Sequence, residues 1–431
     1  MNRIAAIFMC ACGLVLAGCG VMEEDPNTIT VWHWMNDRHD ALEELASRYQ
    51  QKTGITVNFQ LFAPSDVYSQ KITAAAQARI LPDIFGILDK KSVVGDFINA
   101  GFVANLKDAY SADNDAWHKR IFEKALVPNH FAPGNPYDVE PGYYGVPLDV
   151  MNIQMVYNKD LLQQAGIENP PQTFDAFLQA AEKLKGLNVT PFVTGWGELW
   201  LIDCFSSNYA FNIMGKEKVM ETYRGNVAYT DEDWIKVFTI FQTLAGQGLV
   251  DNDIVTKSNK FAEQDFALER AAFAFNGSWG VNVYHGMNPD LDYGVMRPPP
   301  ISREHELKIW GGPGGSFMVN AASSRKTKAI DFLKWLTAKE QQVYLSEETK
   351  NLPANRHALA DLPPELAEFG KAMDQTTHPS IWPVEEDALV KEKFTKGIQS
   401  ILIGERTPED VAQEVQRVKE RQMGRAERRA R

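Results

Sequence analysis

The sequence is poor in cysteine, has no excess of positive charge and lacks an apolar run long enough to cross a bilayer. Its 431 residues include four cysteines and carry a formal net charge of -12. The charge argues against a nucleic-acid partner, since phosphate contacts need clustered Lys and Arg. The N-terminal apolar run, Ile4 to Leu16, has thirteen residues, whereas a membrane-spanning helix needs about 20.

Catalytic and cofactor motifs are also missing. The chain has no G-x-S-x-G, H-E-x-x-H, Walker loop or dinucleotide fingerprint. Its eight histidines are scattered, without the spacing of metal ligands. We therefore expect no cofactor and no metal. An enzyme remains an alternative, because Glu140 and Asp149 could imitate the carboxylate pair of a glycosidase.

The composition that is present is typical of a soluble globular protein. Hydrophobic residues make up 44% and charged residues 23% of the chain, and ten tryptophans are included. A chain of this length exceeds one ordinary core, so two domains are expected.

The N-terminus predicts a lipoprotein signal. Arg3 precedes the apolar run, and Leu16-Ala17-Gly18-Cys19 resembles the lipobox of bacterial lipoproteins. Residues 1–18 would be the signal peptide, and residues 19–27 a polar tether that starts with lipidated Cys19. An ordinary secretory signal with a chance cysteine is the alternative.

The other cysteines bear on redox chemistry. Cys10 and Cys12 would be removed with the signal peptide, which leaves Cys204 as the one unmodified thiol. The mature chain is therefore expected to have no internal disulfide and no cysteine metal site. We interpret Cys204 as a small buried apolar residue.

Strand and helix patterns alternate in the first part of the mature chain. Apolar alternation predicts strands over 28–35, 55–62 and 82–88, with helices over 40–54 and 65–79 between them. This order is typical of a parallel sheet in an open α/β domain. In such sheets ligands bind beyond the carboxyl ends of the strands.

The later part of the chain is richer in helix. Apolar spacing predicts helices over 173–186 and 326–345, and Thr407 begins a further helix over 407–418 as its N-cap. From Arg417 onward seven Arg and Lys stand against two Glu. We interpret this tail as a solvated helix end, with contact to anionic lipid as the alternative.

Three segments together resemble one family. Residues 269–280 are similar to its G-x-A-A-M-x-x-x-G-x-W pattern, and residues 311–336 to its Gly-rich strand entry and long amphipathic helix. Residues 144–185 follow its pattern of Y-G-x-P, then Y-Y-N-K-D, a Gly and P-x-T-W/F-D-E-F. The matching residues are Tyr144, Gly145, Pro147, Tyr157, Asn158, Lys159, Asp160, Gly166, Pro171, Thr173, Phe174, Asp175 and Phe177. The chain thus resembles the extracellular solute-binding proteins of bacterial ABC transporters, in the group that takes sugars.

The resemblance implies a two-lobed, periplasmic-binding-protein-like α/β fold of type II. Its two α/β lobes would be joined by a hinge of several chain crossings, near residues 148–150, 275–277 and 315–317. The implied lobes are 28–148 with 277–315 for lobe 1, and 149–276 with 316–431 for lobe 2.

The same resemblance implies a function. A substrate-binding lipoprotein of this kind captures a mono- or oligosaccharide between its lobes and delivers it unaltered to ABC permease subunits. We expect a monomer in the cell envelope, held at the membrane by lipid on Cys19. A non-sugar solute, such as a polyamine or a glycerol-phosphate-like compound, is the main alternative, and a glycoside-acting enzyme is a further one.

Candidate ligand contacts combine aromatic rings for the apolar faces of a sugar with polar groups for its hydroxyls. The resemblance supports Asp89 and Trp279, although Trp279 could be a core residue. Arg356 could equally serve a structural salt bridge. The full set of candidates is Trp34, Asp37, Asp89, Asp149, Trp196, Trp200, Trp279, Gly315, Ser316 and Arg356.

Overall fold

The computed structural model describes residues 25–63, 65–88, 91–379 and 382–430, which form two main β-sheets flanked by helices. The strands are β1 Thr28–His33, β2 Thr56–Leu61, β3 Ile84–Phe85, β4 His130–Phe131, β5 Gly142–Tyr143, β6 Val146–Pro147, β7 Asp149–Asn158, β8 Thr190–Val193, β9 Ala271–Gly277, β10 Tyr293–Met296, β11 Ile309–Pro313, β12 Ser316–Val319, β13 Leu352–Pro353 and β14 Thr376–Thr377. The α-helices are α1 His39–Thr53, α2 Ser65–Ala78, α3 Lys91–Asn99, α4 Lys107–Arg120, α5 Glu123–Leu126, α6 Lys159–Gln164, α7 Phe174–Leu184, α8 Leu199–Arg224, α9 Glu232–Gly246, α10 Asn259–Ala267, α11 Gly280–Met287, α12 Lys326–Leu336, α13 Lys339–Thr349, α14 Pro364–Lys371, α15 Ala388–Leu402 and α16 Pro408–Ala430.

The first sheet organises lobe 1, with the strand order β2-β1-β3-β12-β6. Strand β1 runs parallel to β2 and β3, as the alternating strand and helix patterns predict, whereas β12 is antiparallel to β3. Alternate residues of β1 are buried, and α1 packs its buried apolar stripe, which includes Leu42, Leu45 and Tyr49, into the same core.

The second sheet organises lobe 2, with the order β14-β11-β7-β9-β8, and β10 and β13 also pair with β7. The ten-residue β7 is its central strand and is mostly buried. Aromatic rings fill the core beside this sheet. Phe177 contacts Phe192 and Phe273 edge-on, and Phe205 packs in the same way on Phe275.

The chain passes directly from one sheet to the other at Leu148, between β6 and β7, and again between β11 and β12. These two crossings lie side by side, because Leu148 N donates to Gly315 O at 2.8 Å. Strands β9 and β11 run antiparallel to β7, so their carboxyl ends lie beside the first residues of β7. The segments that follow β9 and β11 therefore lie on the side of lobe 2 that faces the hinge.

The strand pairing corrects the implied lobe boundaries. Residues 277–315 were expected in lobe 1, but β10 and β11 pair with β7 and belong to lobe 2. Residues 316–431 were expected in lobe 2, but β12 joins the first sheet and α12 contributes to the core beneath α1. The chain does not cross at Gly277, because Trp279 starts helix α11, which packs back on α10. The later crossing instead lies between α13 and β13, which pairs with β7.

Within the described part of the chain, no helix combines the length and the apolar character needed to cross a bilayer.

The N-terminus of α7 allows a test of the local structure. Thr173 Oγ1 accepts a hydrogen bond from Ala176 N at 3.2 Å and caps the helix. We expect Thr173→Ala to lower the free energy of unfolding by about 1 kcal/mol, because an amide of the first turn loses its partner. Urea denaturation measures this change. Thr239→Ala on the exposed face of α9 is the control and should cost nothing, since Ala is the better helix former; equal losses in both variants would contradict the capping role.

Candidate functional site

A cavity of about 290 Å³ lies between the two lobes and is called the interlobe cavity here. Lobe 1 contributes Trp34, Leu88, Lys91, Asn129 and Ser316 to its lining. The opposite wall and the floor come from lobe 2 and the hinge, through Pro313, Gly314, His378, Glu385 and Lys391. Its size is near the lower limit of small-molecule pockets, about 300 Å³.

The lobe 1 wall holds one indole ring and fixed polar groups. Trp34 follows directly on β1, and its ring lies 5.2 Å from that of Tyr68. A Cβ atom added at Gly86 would lie 2.2 Å from the Trp34 ring, so glycine makes room for the indole. Ser316 Oγ accepts a hydrogen bond from Asn129 Nδ2 at 3.0 Å, which orients both side chains beside the ring. This wall can offer an apolar face with a polar margin.

Asp149 holds the hinge together. Its Oδ2 lies 2.6 Å from a guanidinium nitrogen of Arg38, which belongs to lobe 1. Its Oδ1 accepts from Gly315 N at 2.7 Å, and its backbone oxygen accepts from Gly314 N at 3.0 Å. The structure thus places this predicted ligand contact inside the hinge, and Asp149 is not among the residues that line the interlobe cavity. Gly315 likewise uses its amide there, and not toward the cavity.

Two half-exposed indoles stand near the carboxyl ends of β8 and β9. The rings of Trp200 and Trp279 lie 5.8 Å apart at an angle of 52°. Trp200 Nε1 donates to Glu198 Oε2 at 2.8 Å, and Trp279 Nε1 donates to Glu263 Oε1 at 3.0 Å. Each ring is thus held by a carboxylate while part of its surface stays open. The Trp279 ring also lies over Gly277, where a Cβ atom would come within 2.0 Å of it.

Glu263 centres a buried polar network that sequence patterns did not reveal. Its Oε1 also accepts from Asn259 Nδ2 at 2.8 Å and from Asn276 Nδ2 at 3.0 Å. Burial raises the pKa of Glu263, and the hydrogen bonds from Asn276, Trp279 and Asn259 oppose that shift. One helical glutamate has no distinguishing spacing in the sequence, so only the fold identifies this network.

The remaining wall carries His378 and Lys391, which sequence analysis also missed. The His378 ring lies 5.3 Å from that of Trp310, and burial, with Lys391 nearby, lowers the pKa of His378 to about 4. The imidazole is therefore neutral at neutral pH. Lys391 Nζ forms an ion pair with Asp203 Oδ2 at 2.6 Å and lies 5.7 Å from the Trp310 ring.

Two of the candidates, Trp196 and Arg356, lie apart from this arrangement. Trp196 is fully buried against Phe205 and Phe241, so the expectation that its ring faces the cleft is corrected. Arg356 donates to Ile121 O at 3.2 Å and lies over the Phe122 ring, away from the cavity lining. Asp89 and the side chain of Asp37 lie outside the described residues.

The described residues include no group of three or more His, Cys, Asp or Glu that could hold a metal ion. Cys204 is buried, and burial raises the pKa of its thiol well above the usual value. Trp34, Trp200 and Trp279, by contrast, keep part of their surface open beside oriented polar groups. Such an arrangement suits a ligand with apolar faces and many hydroxyls.

Comparison with known proteins agrees with this geometry. A family model described as "Bacterial extracellular solute-binding protein" matches residues 35–343. A protein of Brucella abortus named as a binding protein is 24% identical over 391 residues, covering 86% of each chain. The "Multiple sugar-binding protein" of Streptococcus mutans is 20% identical over 347 residues, covering 79% of this chain and 78% of that protein.

Solved structures share the two-lobed fold. A structure titled "Chitin oligosaccharide binding protein" aligns with a TM-score of 0.72 at 21% identity, covering 91% of this chain and 98% of that one. The alignment extends over both lobes, so the architecture described above is the known two-lobed architecture of binding proteins.

The hinge ion pair predicts a large effect on stability. Asp149→Asn should lower the free energy of unfolding by about 3 kcal/mol, because Arg38 then keeps a largely buried charge without its carboxylate partner. Chemical denaturation measures the loss. Asp113→Asn, which removes the exposed partner of Lys334, is the control and should cost less than about 1 kcal/mol. A stable Asp149→Asn protein with impaired ligand binding would instead favour a direct ligand contact.

Proposed function

The chain belongs to the bacterial extracellular solute-binding proteins, and we propose that it captures a carbohydrate between its lobes and delivers it unaltered to the membrane subunits of an ABC importer. The relatives support this proposal, since the Streptococcus mutans protein is named for multiple sugars and the solved structure for chitin oligosaccharide. The single observation that carries it is the interlobe cavity, which is lined by the Trp34 ring and by the hydrogen-bonded pair Asn129 and Ser316.

The chemistry of the walls fits a sugar. Flat indole surfaces bind the C–H faces of pyranose rings at little cost in side-chain entropy. Asn129 and Ser316 supply neutral hydrogen-bonding groups, and Lys91 supplies a charged donor. Hydrogen bonds to charged groups contribute about 1.5–3 kcal/mol, against about 1 kcal/mol for neutral ones. Orientation of these groups before binding reduces the entropy that a ligand must offset.

The charge around the interlobe cavity favours a neutral ligand over the alternatives. Lys91 and Glu385 carry opposite charges, Lys391 is paired with Asp203, and His378 is neutral because burial lowers its pKa. A polyamine would need an excess of carboxylates, and a phosphate ester would need an excess of Lys or Arg. Neither excess is present among the described lining residues.

The role is one of binding without conversion. Asp149, one member of the carboxylate pair considered for a glycosidase, is engaged with Arg38 and Gly315. Several chain crossings side by side allow the lobes to rotate toward each other around a ligand. A sugar favours the closed form only through contacts that it makes better there, and Trp34 and Trp279, on different lobes, are suited to provide them.

A screen of carbohydrates tests the proposal. A ligand at 100 times its dissociation constant should add about 2.7 kcal/mol to the free energy of unfolding, which thermal denaturation detects as a higher Tm. The panel should include neutral mono- and oligosaccharides, spermidine and glycerol 3-phosphate. A shift with spermidine or the phosphate alone would refute the carbohydrate assignment, and new reducing ends after incubation would refute binding without conversion.

Trp279→Ala should weaken binding of a carbohydrate found in that screen by roughly 1–3 kcal/mol, because an aromatic platform is lost. Isothermal titration calorimetry measures the change. Trp335→Ala is the matched control: this half-buried ring packs on Tyr49 in lobe 1, so its loss should lower Tm and leave affinity unchanged. Unaltered affinity in Trp279→Ala would remove this ring from the site.

The N-terminal sequence supports anchoring by lipid at Cys19, which would hold the protein on the outer face of a membrane. Cys19→Ser should move the protein from the membrane fraction to the soluble fraction in a bacterial host, as quantified by immunoblotting. Cys204→Ser is the control and should leave the distribution unchanged, because Cys204 is buried in lobe 2. Continued sedimentation of Cys19→Ser with the membranes would reveal another anchor.

A further inference from the structure

Helix α16 presents a row of arginines on the outer surface of lobe 2. Four of them are exposed and line one open groove along the helix: Arg417, Arg421, Arg425 and Arg428. We call this set the arginine row. At about 100° per residue the four positions fall within about 80° of the helix circumference. The helix is held on lobe 2 as far as Met423, which lies over Gly225, so the row has a fixed direction.

No carboxylate neutralises the arginine row. Within the described part of the chain, none of its four guanidinium groups forms an ion pair. The three acidic residues of the same groove have partners outside the row: Asp410 with Thr407, Glu414 with Lys393, and Glu420 with Gln416. The positive charge of the row is therefore available to a partner outside the chain.

The row does not serve the stability of its own helix. Elsewhere exposed cations pair along a helix, as Lys396 does with Glu392 at 2.6 Å. Arg417, Arg421 and Arg425 instead follow one another at intervals of four residues, where like charges destabilise a helix. The helix dipole favours cations only in the last turn, and the row begins well before it. This arrangement favours a role in binding.

An exposed apolar residue adjoins the arginine row. Leu389, in the first turn of α15, is 50% exposed and lines a second groove together with Arg421 and Arg425. The acidic residue of that groove, Glu392, is paired with Lys396. Leucine beside arginines suits the boundary between lipid headgroups and acyl chains, where an apolar side chain is buried while charges meet phosphates.

Charge and location favour a bilayer as the partner. The whole chain carries a net charge of -12, whereas residues 417–431 contain seven Arg and Lys against two Glu. An anionic membrane would therefore attract this end of lobe 2 and repel most of the remaining surface. The proposed lipid on Cys19 adds proximity, because the nine residues 19–27 span at most about 30 Å.

We propose that the arginine row, with Leu389 beside it, docks lobe 2 on an anionic phospholipid surface. The sequence alone favoured a solvated helix end, with lipid contact as the alternative, and the alignment of the arginines favours that alternative. The inference draws on the proposed lipid anchor for proximity but does not depend on the carbohydrate assignment.

Sedimentation with vesicles tests the docking surface. The protein is the Cys19→Ser variant from the soluble fraction, so that no acyl chain contributes. It should bind vesicles of equimolar phosphatidylglycerol and phosphatidylcholine at about 0.1 M salt, and release them at about 1 M salt because the charges are then screened. It should not bind vesicles of phosphatidylcholine alone.

Two double variants identify the surface. Arg421→Gln with Arg425→Gln should weaken binding about 25-fold, since each arginine near an anionic surface contributes a factor of about five. Arg421→Lys with Arg425→Lys keeps the charge and should bind within about twofold of the parent. The matched control, Lys52→Gln with Arg79→Gln, removes the same charge from exposed positions of lobe 1 and should change binding less than about twofold.

The outcomes separate this inference from the proposed function. A loss confined to the Gln variant of the row supports the docking surface. No binding to the anionic vesicles, equal binding in that variant, or equal binding to phosphatidylcholine overturns it, and carbohydrate binding stands in each case. Capture of inorganic polyphosphate without capture of vesicles would assign the row to a soluble anion and also overturn it. Failure of the carbohydrate screen leaves this test intact, because no sugar is present.

Discussion

The ion pair between Asp149 and Arg38 is the interaction on which the arrangement of the two lobes depends. Asp149 starts the central strand of lobe 2, pairs with Pro353 and accepts the amides of Gly314 and Gly315. Segments from all three chain crossings therefore meet at one residue, and Arg38 ties lobe 1 to it. A buried carboxylate is stable there only because it is paired with a guanidinium group and accepts backbone hydrogen bonds. These contacts hold the hinge segments in one defined arrangement.

The interlobe cavity lies beside this hinge and is lined by residues of both lobes. Strands of both sheets end near it, so side chains distant in sequence become neighbours: Trp34 follows the first strand, whereas His378 lies more than 300 residues later. Hydrogen bonds to neighbouring side chains also fix the orientation of two indole rings. Carboxylates hold the indole nitrogens of Trp200 and Trp279, which fixes the rings while part of their surface stays open to a ligand. Fixed aromatic surface beside satisfied polar groups lowers the entropic cost of binding.

Local patterns predicted much of the fold. The strands at 28–35 and 55–62 and the helix at 173–186 correspond to β1, β2 and α7 within two residues at each end, because alternation and helical spacing reflect burial on one face. The helix expected over 326–345 ends at Leu336 and is followed by a second helix, α13. Between them, Thr337 Oγ1 accepts a hydrogen bond from Trp117 Nε1 at 2.9 Å. That partner lies 220 residues away, and no local pattern encodes it.

The sequence by itself determined the family, the two-lobed α/β class and several aromatic candidates, because motifs and periodicity are properties of neighbouring residues. Only the tertiary structure decided which of those residues face the cleft. It placed Trp196 in the core and Asp149 inside the hinge, it brought His378 and Lys391 to the interlobe cavity, and it joined Glu263 to Trp279. The physical reason is that burial and charge pairing depend on contacts between segments hundreds of residues apart, which composition and spacing do not record.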